Sequence, residues 1–298
     1  MILVTIKGLR ETENQQTQNT YLYQVKVKEP FIDVEKVLKD KNPKLHSWLP
    51  SFLIKYIKRI VHENDINHVM AKNGHLQGME FVNALIDEFG VEVTLTGAEN
   101  IPLDRSVIFA ANHPLGGMDG IAFMYALGKF RTDIRFLVTD ILTNITNFEP
   151  MFIPVNNHGA NSRELTKLID SAYASENAIL VFPAGLVSRK QDVGIMDLEW
   201  KKSFISKSKR YQKDIVPVYI EGKNSIFFYN LAKFRKMLGI KSNIEMFYLA
   251  DEMFSQKGKK VVIHIGKPIS YKHFDKSKSE KDWAEEVKQM VYQMAKKD

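Results

Sequence analysis

"SVIFAANHPLGGMDGIAFMYALG", Ser106 to Gly128, joins three textures of sequence in one stretch. It runs apolar from Val107 to Ala111, breaks at Pro114, Gly116 and Gly117, and resumes as a mostly apolar run with Asp119 near its start. A short apolar run bounded by proline and glycine reads as a strand, and the longer run after it as a helix. Proline lacks an N–H and fixes φ, while the glycines free the backbone for a tight turn. The stretch therefore predicts a strand–turn–helix unit. Asn112 and His113 end the strand, and Asp119 falls in the first turn of the helix, where the helix dipole favours a carboxylate.

The same alternation continues outward. Strand candidates from Val91 onward are "VEVTLTG", "SVIFAANH", "DIRFLVTD", "MFIPVN", "AILVFPAG", "DIVPVYIEG", "NIEMFYLA" and "KVVIHIGKPI", with helical patterns near 119–129, 161–175, 197–211 and 281–296. Strands alternating with helices predict an α/β fold, a mixed and largely parallel sheet flanked by helices. In such sheets the functional loops lie at the carboxyl ends of strands, which is where His113 falls. Upstream, residues 33–90 read as an N-terminal helical segment. In "WLPSFLIKYIKRIVHEN" the apolar residues Leu49, Phe52, Leu53, Tyr56, Ile57, Ile60 and Val61 recur at helical spacing, and Gly90 stands where a helix stop is expected. Residues 1–32 read as an arm or two short strands, and 91–298 as the α/β domain.

Composition narrows the function classes. The 298 residues include no cysteine, which excludes disulfides and thiolate chemistry. The opening apolar run is too short for a signal peptide. The longest weakly charged run, Ser106 to Gly128, carries His113, Pro114 and Asp119, which suits no lipid-facing helix. A net charge of +7 fits an acidic partner: nucleic acid, an anionic membrane surface or an acidic carrier protein. No helix-turn-helix, zinc-finger or RNP-like signature supports a nucleic-acid partner. Neither a G-x-G-x-x-G, a Walker A loop nor an H-E-x-x-H is present, and the remaining histidines lack ligand spacing, so no metal and no bound cofactor are expected. One helical face, with Lys55, Lys58, Arg59 and Trp48, is a candidate membrane contact, or else the solvated lysine face of a helix that packs on the core. A second basic run, "WKKSFISKSKRYQK" from Trp200 to Lys213, holds six cations and no acid. It suits phospholipid or an acidic acyl carrier, or else a solvated helix face.

His113 and Asp119 carry a chemistry. Imidazole serves as a general base, and a carboxylate on its far nitrogen fixes the tautomer and stabilises the imidazolium. Such a pair would take the proton of a hydroxyl as that oxygen attacks an acyl carbonyl. The backbone N–H groups of Gly116 and Gly117 are candidate oxyanion donors. On this stretch alone, a strand-end histidine beside an unrelated helix-start aspartate is the stronger reading.

Four stretches in order resemble the glycerolipid acyltransferase family, which contains bacterial 1-acylglycerol-3-phosphate acyltransferase. They are Asn112, His113 and Asp119; "MFIPVNN"; "FPAGLVSR", Phe182 to Arg189, similar to Phe-Pro-Glu-Gly-Thr-Arg-Ser; and "IVPVYIEG" around Val216 and Pro217. The resemblance spans about residues 45–270 and implies His113 as catalytic base, Asp119 as its partner, and acyl transfer from a thioester of coenzyme A or acyl carrier protein. It also implies substrate contacts at Asn112, Asn156, Asn157, Pro183 and Gly185. The chain departs from the family in several places. Its His–Asp spacing of five intervening residues is one longer, Ala184 replaces the glutamate, Val187 stands where the arginine would be, and Asn156 and Asn157 replace an Asp-Arg pair. In the family those charges hold the acceptor's glycerol and phosphate. Their loss turns the expected acceptor from lysophosphatidic acid toward the branch that acylates lyso-amino-acid lipids such as ornithine or glycine lipids, with another lysophospholipid as the alternative. Arg163 and Arg189, with Lys190 beside it, are candidate contacts for an acceptor carboxylate. The implied setting is peripheral, at the cytoplasmic face of the inner membrane. Two other readings stand beside it. One is a thioesterase or esterase using the same pair on water, though no G-x-S-x-G is present. The other is a non-catalytic lipid or acyl-carrier binder.

Overall fold

The computed structural model describes residues 30–295 apart from 150, 157–161 and 241–242. Nearly all of the 1–32 arm, together with Asn157, lies outside the described residues. The chain divides into two compact units, 1–48 and 49–298. The first contains helices Val34–Lys41 and Pro43–Trp48. In it Asp33 caps the first helix by accepting a bond from the Lys36 amide, and Trp48 is 78% exposed.

The second unit is built on a seven-stranded sheet of order β1-β9-β8-β2-β5-β3-β4. Its strands are β1 (Glu92–Thr96), β2 (Val107–Ala111), β3 (Ile134–Thr139), β4 (Phe152–Val155), β5 (Ala178–Val181), β8 (Asp214–Ile220) and β9 (Lys260–Ile265). Five of them, from β8 across to β4, run parallel; β9 is antiparallel to β8 and carries β1 parallel beside it. The mixed, largely parallel sheet is the one the alternation predicts. A separate hairpin, β6 (Arg189–Gln191) and β7 (Gly194–Met196), has no counterpart in the sequence reading.

β2 lies at the centre, and its five residues are fully buried because both faces of the sheet are covered. Val107, Phe109 and Ala111 enter one core with helices Gly78–Phe89 and Gly117–Gly128, while Ile108 and Ala110 enter another with helices Arg163–Ala174, Ser203–Tyr211 and Glu280–Met294. That is the two-residue period of a strand, realised as two cores. Phe81, Val82, Leu85, Ile86 and Phe89 share the first core, so packing is continuous across residue 90. Gly90 ends that helix at φ 57°, a conformation that suits glycine.

Three expectations change. "NIEMFYLA" is a 3₁₀ turn, Ile244–Tyr248, running into helix Leu249–Phe254, not a strand. Short apolar runs do not distinguish the two, and Glu245 is drawn inward to pair with two arginines. The helix expected at 197–211 starts at Ser203; ahead of it the Lys201 N–H is bonded to the Pro183 carbonyl, not to a carbonyl one turn back. Helix Ser51–Ile60 stops before His62, whose left-handed φ of 54° turns the chain into helix Glu63–Asn73.

Candidate active site

Beyond the carboxyl end of β2, His113 and Asp119 meet. Asp119 Oδ2 lies 2.9 Å from His113 Nδ1 and accepts from the backbone N–H groups of Leu115 (2.8 Å) and Gly116 (3.0 Å). The five-residue spacing is absorbed at Gly116, whose φ of 80° lets the helix begin at Gly117 and set Asp119 in its first turn. Asp119 is fully buried. Burial pushes its carboxyl above the usual carboxylate range, against the bonds from His113, Leu115 and Gly116, which favour the charged form. The His113 ring stacks on Phe182 at 4.1 Å, and its side chain keeps 18% exposure. With Nδ1 turned to Asp119, Nε2 is the nitrogen left to meet a substrate.

A second buried carboxylate, absent from the sequence reading, holds this loop from behind. Asp197 Oδ1 accepts from the His113 backbone N–H (3.2 Å) and from Ser188 Oγ (2.6 Å), and Oδ2 accepts from Trp200 Nε1 (2.9 Å). The Ser188 N–H in turn donates to the His113 carbonyl at 2.8 Å. Burial raises the Asp197 carboxyl as well, opposed by the bonds from Ser188 and Trp200. Asp197 sits 84 residues from His113 in an ordinary loop sequence, so no local pattern marks it.

The other expected residues fall into three groups. Asn112 is buried and spends its amide on the backbone of Ile220, donating to the carbonyl (2.9 Å) and accepting from the N–H (2.6 Å). It splices β2 to β8 across the centre of the sheet. The Gly116 N–H is taken by Asp119, so of the two expected oxyanion donors only the Gly117 N–H, at the start of the helix, lacks an acceptor among the described residues. Arg189 is buried. It reaches Glu245 Oε1 at 3.1 Å, donates to the Val187 carbonyl at 2.6 Å and lies over the Phe228 ring at 5.0 Å. Glu245 also takes Arg235 Nε at 2.9 Å.

Pro183 and Gly185 lie in the loop after β5, next to β2, and Phe182 in that loop carries the His113 ring. Asn156 follows β4, three strand spacings or about 14 Å from β2. Arg163 and Lys190 are exposed. Lys55 and Arg59 are exposed, Arg59 over the Tyr56 ring, and Lys58 pairs with Glu63 at 3.4 Å. The basic run 200–213 is partly paired, two carboxylates serving four of its six cations. Lys207 and Arg210 pair with Asp170, Lys202 and Lys209 with Glu280, and Lys213 donates to the Ser175 carbonyl. Among the described residues no group of three or more His, Asp or Glu is placed to hold a metal, and no helix is long and apolar enough to cross a membrane.

A parallel-centred α/β sheet with a His–Asp pair beyond its middle strand is an arrangement able to carry acid–base chemistry at the strand ends. A family model described as Acyltransferase matches residues 36–297, and the chain belongs to that family. Two curated relatives, each named lyso-glycine lipid O-acyltransferase, match over 265 residues. The one from Phocaeicola vulgatus is 44% identical, covering 89% of this chain and 95% of its own. That from Bacteroides thetaiotaomicron is 43% identical, covering 89% and 97%. Among solved structures, the crystal structure of the 1-acyl-sn-glycerophosphate acyltransferase PlsC from Thermotoga maritima aligns with a TM-score of 0.45 at 20% identity, over 83% of this chain and 93% of that one.

Proposed function

We propose that this acyltransferase is a peripheral membrane enzyme moving a fatty acyl group from a thioester to the hydroxyl of a lyso-glycine lipid, with His113 as general base. The observation that carries the reading is the His113–Asp119 contact of 2.9 Å at the end of the central strand, with the imidazole still open to solvent. His113 Nε2 takes the acceptor's hydroxyl proton as the oxygen bonds to the thioester carbonyl carbon. The charge on the carbonyl oxygen is met by the Gly117 N–H and the helix start behind it. The carbon–sulfur bond then breaks, and the imidazolium returns the proton to the leaving thiolate. The names of the two relatives support the acceptor. The donor is an acyl thioester of carrier protein or coenzyme A, and the setting is the cytoplasmic membrane face.

The test supplies purified protein with an acyl thioester and follows both thiol release and lipid product. Thiol release that depends on lyso-glycine lipid, with diacylated product formed in equal amount, is the expected result. Release at the same rate without acceptor would instead identify a thioesterase. Product with lysophosphatidic acid but not with lyso-glycine lipid would overturn the acceptor.

Asp119→Asn is expected to lower turnover about a hundredfold or more while the protein stays folded. Asparagine keeps an acceptor for the three donors at Oδ2 but removes the charge that stabilises an imidazolium. Because burial raises this carboxyl, its contribution to stability is greatest at low pH and falls as pH rises past the unfolded value. A neutral side chain removes that loss, but its Nδ2 takes the place of the buried Asp119 Oδ1, which has no partner among the described residues, and that cost opposes the gain. Thermal unfolding at neutral pH should therefore change little, and a rate near wild type would exclude the electrostatic role.

A further inference from the structure

Helix Ile226–Met237 presents an apolar face outward. Its inner stripe, Phe228, Tyr229, Ala232 and Arg235, is buried. Its outer stripe exposes Ile226 (77%), Phe227, Phe234 and Met237 (73%). A surface helix on a globular protein ordinarily turns polar residues outward, and a contiguous exposed apolar patch marks a binding surface. The patch continues onto a second helix. Phe227 packs edge-on against Tyr248 at 4.9 Å, and the Tyr248 hydroxyl bonds that of Tyr56 at 2.6 Å on helix Ser51–Ile60, where Phe52 is exposed one turn away.

The charge on these two helices is all of one sign. Helix Ile226–Met237 carries Lys233, Arg235 and Lys236, helix Ser51–Ile60 carries Lys55, Lys58 and Arg59, and neither contains an acid. The patch also opens at the catalytic end. The helix follows β8, parallel to β2, after Ile220, the residue spliced to Asn112. On its inner face, Phe228 packs with Val187, next to the Ser188 that bonds His113.

We infer that the outer face of helix Ile226–Met237, joined to helix Ser51–Ile60 through Tyr248 and Tyr56, is the surface that seats the enzyme on an anionic bilayer. Aromatic and aliphatic side chains enter the interface while the exposed Lys233, Lys236, Lys55 and Arg59 meet lipid phosphates. A second copy is the poorer occupant, because a two-fold contact through this face would set like cations against each other. The inference rests on the acyl-transfer reading for its purpose, but its test does not depend on activity.

The full chain is sedimented with vesicles of phosphatidylglycerol and phosphatidylcholine in equal parts, and with phosphatidylcholine alone. Phe227→Ser with Phe234→Ser should weaken partitioning about tenfold or more. Lys233→Gln with Lys236→Gln should weaken it by a similar factor at low salt, a gap that closes at high salt. Leu103→Ser, an exposed apolar position ahead of β2 at the opposite end of the sheet, should change nothing. On short-chain dispersed substrates the Phe variants should turn over like wild type, which verifies their fold, while turnover of acceptor embedded in vesicles falls with partitioning. Unchanged sedimentation of the Phe variants overturns the inference, as does a solution mass showing a dimer that these variants dissociate. Absent turnover of dispersed substrate by wild type counts against the acyl-transfer reading, and sedimentation still decides the surface.

Discussion

His113→Ala should lower acyl transfer by about two to four orders of magnitude, the range for losing a general base. Two features of the loop make this a test of chemistry more than of folding. The loop's shape is held by backbone groups: the His113 N–H on Asp197, its carbonyl on Ser188, and the Leu115 and Gly116 amides on Asp119. All of these survive the substitution. Asp119 loses the imidazole, one of the bonds that favour its charged form, and keeps the Leu115 and Gly116 amides. Steady-state turnover together with unfolding by denaturant separates the two effects. A variant that folds and turns over at the wild-type rate would remove His113 from the mechanism.

The largest loss of stability is expected from Glu245→Ala. Glu245 is fully buried between Arg189 and Arg235, both also buried. Removing it leaves two guanidinium groups out of water with no counter-charge, a change that costs about 3–5 kcal/mol. Burial already lowers the Arg189 pKa, and the Glu245 charge is what opposes that. The denaturant midpoint should fall with little change in the slope, and turnover should fall with it, because Arg189 holds the Val187 carbonyl beside Ser188. Glu245→Gln, which keeps the shape and part of the hydrogen bonding, should cost less. Equal stability of the alanine variant would mean that water reaches the arginines.

The central strands were legible as short, nearly continuous apolar runs because both of their faces are buried, and the outer strand β1, Glu-Val-Thr-Leu-Thr, by its alternation. The β6–β7 hairpin, with its residues mostly polar, gave no such signal. The helical identity of 244–254 was hidden for the opposite reason, since a brief apolar run carries no period long enough to tell a strand from a helix. The two charged residues that hold the loops, Asp197 and Glu245, looked like any other acids.

Within Ser106–Gly128, everything that depends on chain neighbours could be read in advance: the strand, the turn, the helix and the placing of a histidine and an aspartate on either side of one bend. A bend of that length limits where its two ends can go, and Gly116 permits the one conformation that closes the extra residue. What depends on distant partners could not. Asn112 and Arg189 looked available for substrate by residue type, and folding brings Ile220 and Glu245 to them from 108 and 56 positions away. Whether a polar side chain is free or spent is set by which far segment packs against it. The same holds for the outward face of helix Ile226–Met237, which exists only because Phe228 and Tyr229 take the inner side and leave Phe227 and Phe234 in water.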